Sequence, residues 1–472
     1  MSKDITEHKR ACHLCEAICG LVIKVQNDNI ISIKGDFDDP LSRGHICPKA
    51  VALQDLQNDP DRLRRPLRRL RKSDRKSARD SWTEITWEEA FDMVSKTLVD
   101  IRTQHGDDAF AVYMGNPSVH NYGILTHQQA LFSHLRTRNR YSATSVDQLP
   151  QHIVSLAMYG HKDLLPVPDI DRTDYFLMLG ANPIASNGSI WTVPDVRQRI
   201  KDLTGRGGKL VVIDPRRTET AALANEHFGI QPSTDALFLA ALLNVILSED
   251  LQSLEQVNLD AVGLDEVRAK VVAFTPQRVA ATVGMSESDI ERIAREFAAA
   301  DRAVCYGRMG VSTQSFGTLN HWLIQLLNIV TGNFNREGGA MFTHPAVNDF
   351  ASTRPGKIGR FKSRVSGKPE FNGELPASAL AEEILTPGEG QIRALFTCAG
   401  NPVLSTPNGR QLDEALASLE FMVSLDPYLN ETTRHADVIL PPTSPLEHDH
   451  YDLAFLTLSV RNIARFNDPC LL

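Results

Sequence analysis

Apolar residues recur along this chain with two different periods, and the first to appear is two. In residues 21–36, LVIKVQNDNIISIKGD, apolar and polar positions alternate on either side of Asn27-Asp28-Asn29. Successive side chains of a strand point to opposite faces, so this pattern predicts short strands joined by a turn at those polar residues. In WEEAFDMVSKTLVDIRTQHG the apolar spacing is helical. Thr86 stands at the N-cap position, Glu88 and Glu89 lie in the first turn where the helix dipole favours acids, and Gly106 marks the stop. A shorter helix is expected in AVALQDLQ. Beyond residue 107 the pattern changes. Continuous apolar runs end in polar loops marked by Gly or Pro: AFAVYMGNP, DYFLMLGANP, KLVVIDPRR, AVCYGRMG, IRALFTCAGNP and FMVSLDPY. Helical stretches such as ALFLAALLNVIL and LNHWLIQLLNIVTG lie between them. A run that is apolar at every position is a strand covered on both faces, which predicts parallel, doubly wound α/β domains behind a small β-rich N-terminal module. The pairs Asn116-Pro117, Asn182-Pro183 and Asn401-Pro402 recur at strand ends and hint at related halves.

Composition narrows the class. At 472 residues the chain is long enough for about three domains. A hydrophobic share of 42% and a charged share of 23% are ordinary for a globular protein. A net charge of −8 gives no overall pull toward nucleic acid or a membrane surface. No apolar run is long enough to span a bilayer, so direct membrane insertion is not expected. MSKDITEHKR lacks both an apolar core and a twin-arginine signal, which points to a reduced, cytoplasmic setting. The basic run Arg62–Arg79 is interrupted by Pro66, contains Asp74 and has no interleaved aromatic residues. It therefore reads as a solvated connector, and no nucleic-acid partner is expected.

The cysteines change the picture most. Cys12, Cys15 and Cys19 fall within eight residues, and Cys47 follows just before Pro48. Thiolates with two and three residues between them converge on one corner of an inorganic cluster, and a distant fourth completes Cys₄ ligation of [4Fe–4S]. Gly20 and Gly44 leave room for backbone near such a cluster. A zinc ribbon usually shows two CxxC arms, and disulfides need an oxidising compartment, so both are weaker readings. Cys305, Cys398 and Cys470 are scattered and read as buried or incidental thiols.

Ligands of open α/β sheets sit beyond the carboxyl ends of the strands. The loops there offer Gly180, Asn182 and Asn187; Asp214, Arg216 and Thr218; Thr234 and Asp235 at a helix start; and Gly307, Met309, Gly310 and Gln314. Each is weak alone: Asp214 can cap its own turn, and Asn182 can satisfy local backbone. Neither GxGxxG nor GxxxxGK[ST] is present. Together the loops suggest a large ligand with phosphates and many hydrogen-bonding edges.

The cysteine motif, GANP, DPRRTETA, PSTDALFLAALLNVI, VTGNFNREGG, CAGNPVLS and HADVILPPTSPLE together resemble the molybdopterin oxidoreductases, with formate dehydrogenases, assimilatory nitrate reductases and polysulfide reductases among them. The resemblance covers essentially the whole chain. It implies a [4Fe–4S] cluster on Cys12, Cys15, Cys19 and Cys47, and molybdenum or tungsten held by bis(molybdopterin guanine dinucleotide). It implies a cluster domain at 1–58, a discontinuous α/β domain at 59–137 and 340–472, and a pterin dinucleotide domain at 138–339. Lys49 matches the lysine between cluster and pterin, Asp214 the residue facing a guanine edge, and Asn401 and Pro402 the second pterin's side. Family members place a Cys, selenocysteine, Ser or Asp metal ligand about a dozen residues before a helix-ending Gly, and counting back from Gly160 gives Asp147. No cysteine lies in that stretch. A hard carboxylate suits oxidised molybdenum and oxygen-transfer chemistry. Ser145 is the rival, and Asp147 as a plain helix cap is the alternative to both. His152, a turn onward, is a candidate proton carrier. The family normally continues into a further C-terminal domain beyond the segment at which this sequence stops, which bears on retention of the pterin. The implied activity is a two-electron reaction on a small-molecule substrate. Electrons would pass to a separate ferredoxin-like, flavin or quinone-linked protein. A formate dehydrogenase and a non-catalytic electron-relay subunit of the same fold are the alternatives.

Overall fold

The computed structural model describes residues 4–70, 76, 81–254, 261–347 and 353–471. Strands Thr6–Ala11, Gly20–Gln26 and Asn29–Gly35 form a three-stranded antiparallel sheet. The turn falls where alternation breaks: Asn27 (φ 51°) and Asp28 (φ 60°) both adopt the left-handed conformation of a tight hairpin turn, which their short polar side chains tolerate. The next segment contains two short helices, Pro48–Val51 and Leu53–Asn58, where one was expected.

The α/β part is built on two sheets. The first is parallel, in the order Glu226–Phe228, Lys209–Ile213, Tyr175–Leu179, Ala303–Gly307. Its central strand is buried at every position because both faces are covered. Leu177 and Leu179 pack with helices Asp235–Ser248, Glu287–Ala299 and Gly317–Val330, while Phe176 and Met178 pack with Val196–Gly205. The second sheet has seven strands. Val438–Leu440, Phe421–Leu425, Ala394–Cys398, Phe110–Met114 and Arg140–Ser142 run parallel, and Leu67–Leu70 and Ser81–Glu84 add an antiparallel edge. Helix Trp87–His105 begins at Thr86, whose hydroxyl accepts from the Glu89 amide at 3.1 Å while the Glu89 carboxylate accepts from the Thr86 amide at 2.8 Å. This reciprocal capping satisfies two N–H groups the helix cannot use. Among the described residues no helix is long and apolar enough to cross a membrane.

The basic run is not a solvated connector. Residues Leu67–Leu70 form a strand paired between Ser81–Glu84 and Val438–Leu440, and Arg62, Arg69 and Lys76 are buried. Arg62 pairs with Glu447 at 3.1 Å and Lys76 with Asp437 at 2.9 Å. Arg69 donates to the Ala436 carbonyl at 2.8 Å and lies over the Trp82 ring. These cations supply donors to a sheet edge, which local composition could not reveal. Residues 71–75 and 77–79 of the run lie outside the described residues.

Strand order reverses once in each sheet: between Tyr175–Leu179 and Ala303–Gly307, and between Phe110–Met114 and Ala394–Cys398. The loops leaving these strands pack backbone against backbone. Gly310 donates to the Gly180 carbonyl at 2.8 Å, and a Cβ on Gly180 would meet the Gly310 backbone at 2.9 Å. A Cβ on Gly115 would stand 2.0 Å from the Ala399 carbonyl oxygen. Gly115 has an ordinary φ of −78°, so its constraint is purely steric. Gly106 is the converse, with φ 87° and nothing within 4 Å of a Cβ. Gly115→Ala should therefore destabilise the protein by about 3 kcal/mol through overpacking. Gly106→Ala should cost about 1 kcal/mol through torsion alone. Denaturant titration of the two variants checks the order.

Candidate functional site

The four cysteines lie on the rim of the N-terminal sheet. The Cys12 amide donates to the Cys19 carbonyl at 2.8 Å, closing the loop between the first two strands, and Cys47 precedes helix Pro48–Val51. Cys12 and Cys19 are buried, Cys15 and Cys47 half-buried, and all seven cysteines are unpaired thiols. Burial pushes the Cys12 thiol up to about 12 and raises Cys15 and Cys19, and in each case the other thiols of the set add to the effect. Metal binding here must displace protons from reluctant thiols. Within the loop, Ile18 is fully buried yet has φ 41°, a conformation that costs a β-branched residue about 1–3 kcal/mol. Arg465 donates to its carbonyl and also to Asp39 at 2.9 Å. The loop is thus held in a shape its own sequence does not favour, with thiols grouped on it, as a cluster cradle requires. Gly20 and Gly44 are constrained by Asp39 and by the Phe37 ring, respectively. Among the described residues no three His, Cys, Asp or Glu side chains converge on a single metal ion.

Lys49 is exposed on the first turn after Cys47, and its charge reaches Cys15. Glu16, which sequence reasoning missed, reaches the other way. Its carboxylate accepts from the Ile190 amide at 2.7 Å. Burial raises it to about 7 against the opposing pull of Arg308, and Asp147 adds to the rise. Asp147 ends the short helix Thr144–Asp147, and its Oδ2 accepts from Arg308 at 2.9 Å. Ser145 instead accepts from the Ala377 amide at 2.8 Å. His152 donates through Nδ1 to the Lys162 carbonyl at 2.9 Å, and no hydrogen bond joins it to Asp147 among the described residues.

At the first strand reversal the predicted residues come together. Gln314 donates to Asp235 at 2.6 Å and Asp214 lies within electrostatic reach of Asp235, beside the Gly180–Gly310 contact. Gly307 packs against Ile324 at the strand end, Asn187 terminates a short helix at φ 59°, and Met309 and Arg216 are exposed. Thr218 accepts from the Ala221 amide at 3.0 Å. Thr234 stands at the helix start but donates to the Gln231 carbonyl at 2.7 Å, so its side chain does not cap the helix.

The two reversals carry the same device. Asn182 accepts from Thr220 Oγ1 at 2.7 Å and donates to Glu219 at 2.7 Å; Asn401 accepts from Thr432 Oγ1 at 2.7 Å and donates to Glu431 at 2.8 Å. Thr220 then accepts from the Ile184 amide and Thr432 from the Val403 amide, both at 3.2 Å. Asp214 accepts from the amide two residues on at 2.8 Å, and Asp426 does the same at 2.9 Å. Both glutamates are held below the usual carboxylate range, Glu219 first by its own backbone amide and then by Asn182, Glu431 first by Asn401. The signal for Glu219-Thr220 and Glu431-Thr432 was in the sequence, where the order Asn-Pro, Asp-Pro, Glu-Thr occurs twice. Pro402 opens the short helix that follows Asn401. Asn182→Ala and Asn401→Ala should each cost about 1–2 kcal/mol by orphaning a buried threonine hydroxyl. In the double variant the losses should add within about 0.5 kcal/mol, since the two sites share no partner, and denaturation midpoints test this.

Comparison with known proteins follows the same division. Residues 62–456 match the molybdopterin oxidoreductase family and residues 5–59 the molybdopterin oxidoreductase Fe4S4 domain. A nitrate reductase of Symbiobacterium thermophilum is 26% identical, matching 92% of this chain and 60% of its own length. The F420-dependent formate dehydrogenase subunit alpha of Methanocaldococcus jannaschii is 25% identical over 93% of this chain and 64% of its own. The chain thus spans about three fifths of these relatives. The fold matches acetylene hydratase from Pelobacter acetylenicus with a TM-score of 0.79 at 19% identity, over 98% of this chain and 66% of that one. With both family models matched in order and the cysteine loop and strand-end loops placed as described, this chain belongs to the molybdopterin oxidoreductase family.

Proposed function

We propose that the chain is the cofactor-bearing part of a cytoplasmic molybdenum or tungsten bis-pterin oxidoreductase acting on a small substrate by a two-electron reaction. The observation that carries this reading is the doubled Asn–Glu–Thr device at two strand reversals, one for each half of a bis-pterin cofactor. The residues present fit such a group: exposed polar loops meet at both crevices, backbone there comes close through glycine, and three thiols sit on a preformed loop with the fourth, Cys47, on the segment before helix Pro48–Val51. When bound, the metal pterin supplies the two-electron chemistry and the cluster single-electron transfer.

The chain's own residues have distinct parts. Cys12, Cys15, Cys19 and Cys47 hold the cluster, and Lys49 lends a positive charge beside it. Asp214, Asp235 and Gln314 present hydrogen-bonding edges at one crevice, with Asp426 in the matching position at the other. Asp147 offers a hard oxygen ligand, which favours oxygen-transfer chemistry over the thiolate-ligated formate dehydrogenase type. The engagement of the half-buried Ser145 hydroxyl with the Ala377 amide supports Asp147 over its rival. The same reading divides the chain at 1–58, 138–339, and 59–137 with 340–472. It also assigns electron exchange to a separate ferredoxin-like, flavin or quinone-linked protein.

Elemental analysis of anaerobically purified protein should find about four irons and one molybdenum or tungsten per chain. Cys47→Ala should lose most of the iron. Zinc in place of iron would sink the cluster assignment, and iron without molybdenum or tungsten would favour the electron-relay alternative.

A further inference from the structure

Arg308 is a cation with almost no access to solvent, at 3% exposure. It springs from the first strand reversal, where its amide donates to the Leu179 carbonyl and its own carbonyl accepts from the Val311 and Ser312 amides. All three guanidinium nitrogens are used. Nε donates to Ser189 Oγ at 2.8 Å, Nη1 to the Asp147 backbone carbonyl at 3.2 Å, and Nη2 to Asp147 Oδ2 at 2.9 Å. Ser189 is itself fixed, since its carbonyl accepts from the Tyr306 hydroxyl at 2.6 Å. Glu16 lies close enough to Arg308 and Asp147 for both charges to act on it.

This geometry does more than neutralise a carboxylate. A fork that grips one backbone oxygen and one side-chain oxygen of the same residue fixes its χ angles as well as its charge. Oδ2 is taken, and among the described residues Oδ1 accepts no hydrogen bond. The cation is shared with a carboxylate on the loop between Cys15 and Cys19, so the cluster loop and the Asp147 helix are referred to one rigid group.

We propose that Arg308 is a positioning residue that orients the Asp147 carboxylate so that Oδ1 faces the molybdenum or tungsten. The proposal rests on the reading of Asp147 as a metal ligand. It goes beyond that reading in naming the residue that sets the ligand's geometry.

The test uses complete holoprotein purified anaerobically, with metal content and the Mo(V) or W(V) electron paramagnetic resonance signal as readouts. Asp147→Ala comes first. A changed signal in metal-replete protein supports the ligand reading, and an unchanged one overturns that reading and this proposal with it. Given a changed signal, Arg308→Met should retain metal but replace the single signal by a mixture, because the carboxylate is free to rotate. Arg308→Lys should give the same mixture, since an ammonium keeps the charge but cannot reproduce the fork. A parental signal in Arg308→Met, or a single signal restored by Arg308→Lys, overturns the positioning role and leaves the ligand reading intact. If Arg308→Met does not accumulate as folded protein, Arg308→Lys alone decides: a mixture of signals supports the proposal, and a single parental signal rejects it.

Discussion

Backbone touching backbone at two strand reversals is the constraint on which the rest of this structure depends. Parallel strands place their loops at one end of the sheet, and where strand order reverses, neighbouring loops diverge and leave a crevice. The Gly180–Gly310 and Gly115–Ala399 contacts pull the floors of the two crevices together so tightly that a single added methyl would meet main-chain atoms. With side chains excluded from the floor, recognition is left to residues on the rim. The Asn–Glu–Thr device then holds each rim in a fixed shape, its threonine hydroxyls buried and satisfied.

The N-terminal module depends on this frame. Its core includes Leu446, Cys470 and Leu471 from the far end of the chain, and Arg10 donates to backbone carbonyls near residues 445–468. Glu16 reaches into the first α/β unit through the Ile190 amide. A buried Arg brought together with a partly buried Glu and Asp from other segments costs desolvation that only mutual compensation offsets, and removing one partner would leave uncompensated charge.

The same short motifs recur at both reversals. FLMLGANP and LFTCAGNP end equivalent strands, and VVIDP and VSLDP end their neighbours. Each half ties its strand-end loops together with the same short residues, an Asn, a Glu and a Thr. The halves then differ in their edges: the second is widened by the antiparallel strands Leu67–Leu70 and Ser81–Glu84.

The sequence by itself determined the layers, the Thr86 helix cap and the grouping of cysteines on the N-terminal loop. These follow from local periodicity, from Thr86 and Glu89 three residues apart, and from cysteine spacing, all of which act over one or two turns of chain. It also carried the candidate loops, since Gly180, Asp214, Asp235 and Gln314 lie at strand ends that an apolar run announces. Only the tertiary structure decided that Arg62, Arg69 and Lys76 are buried at a sheet edge, because their partners lie more than 350 residues away. It alone brought Glu16, Asp147 and Arg308 together from three separate segments. Charge pairing across such distances leaves no trace in composition or period; it exists only when the fold removes the water between the groups.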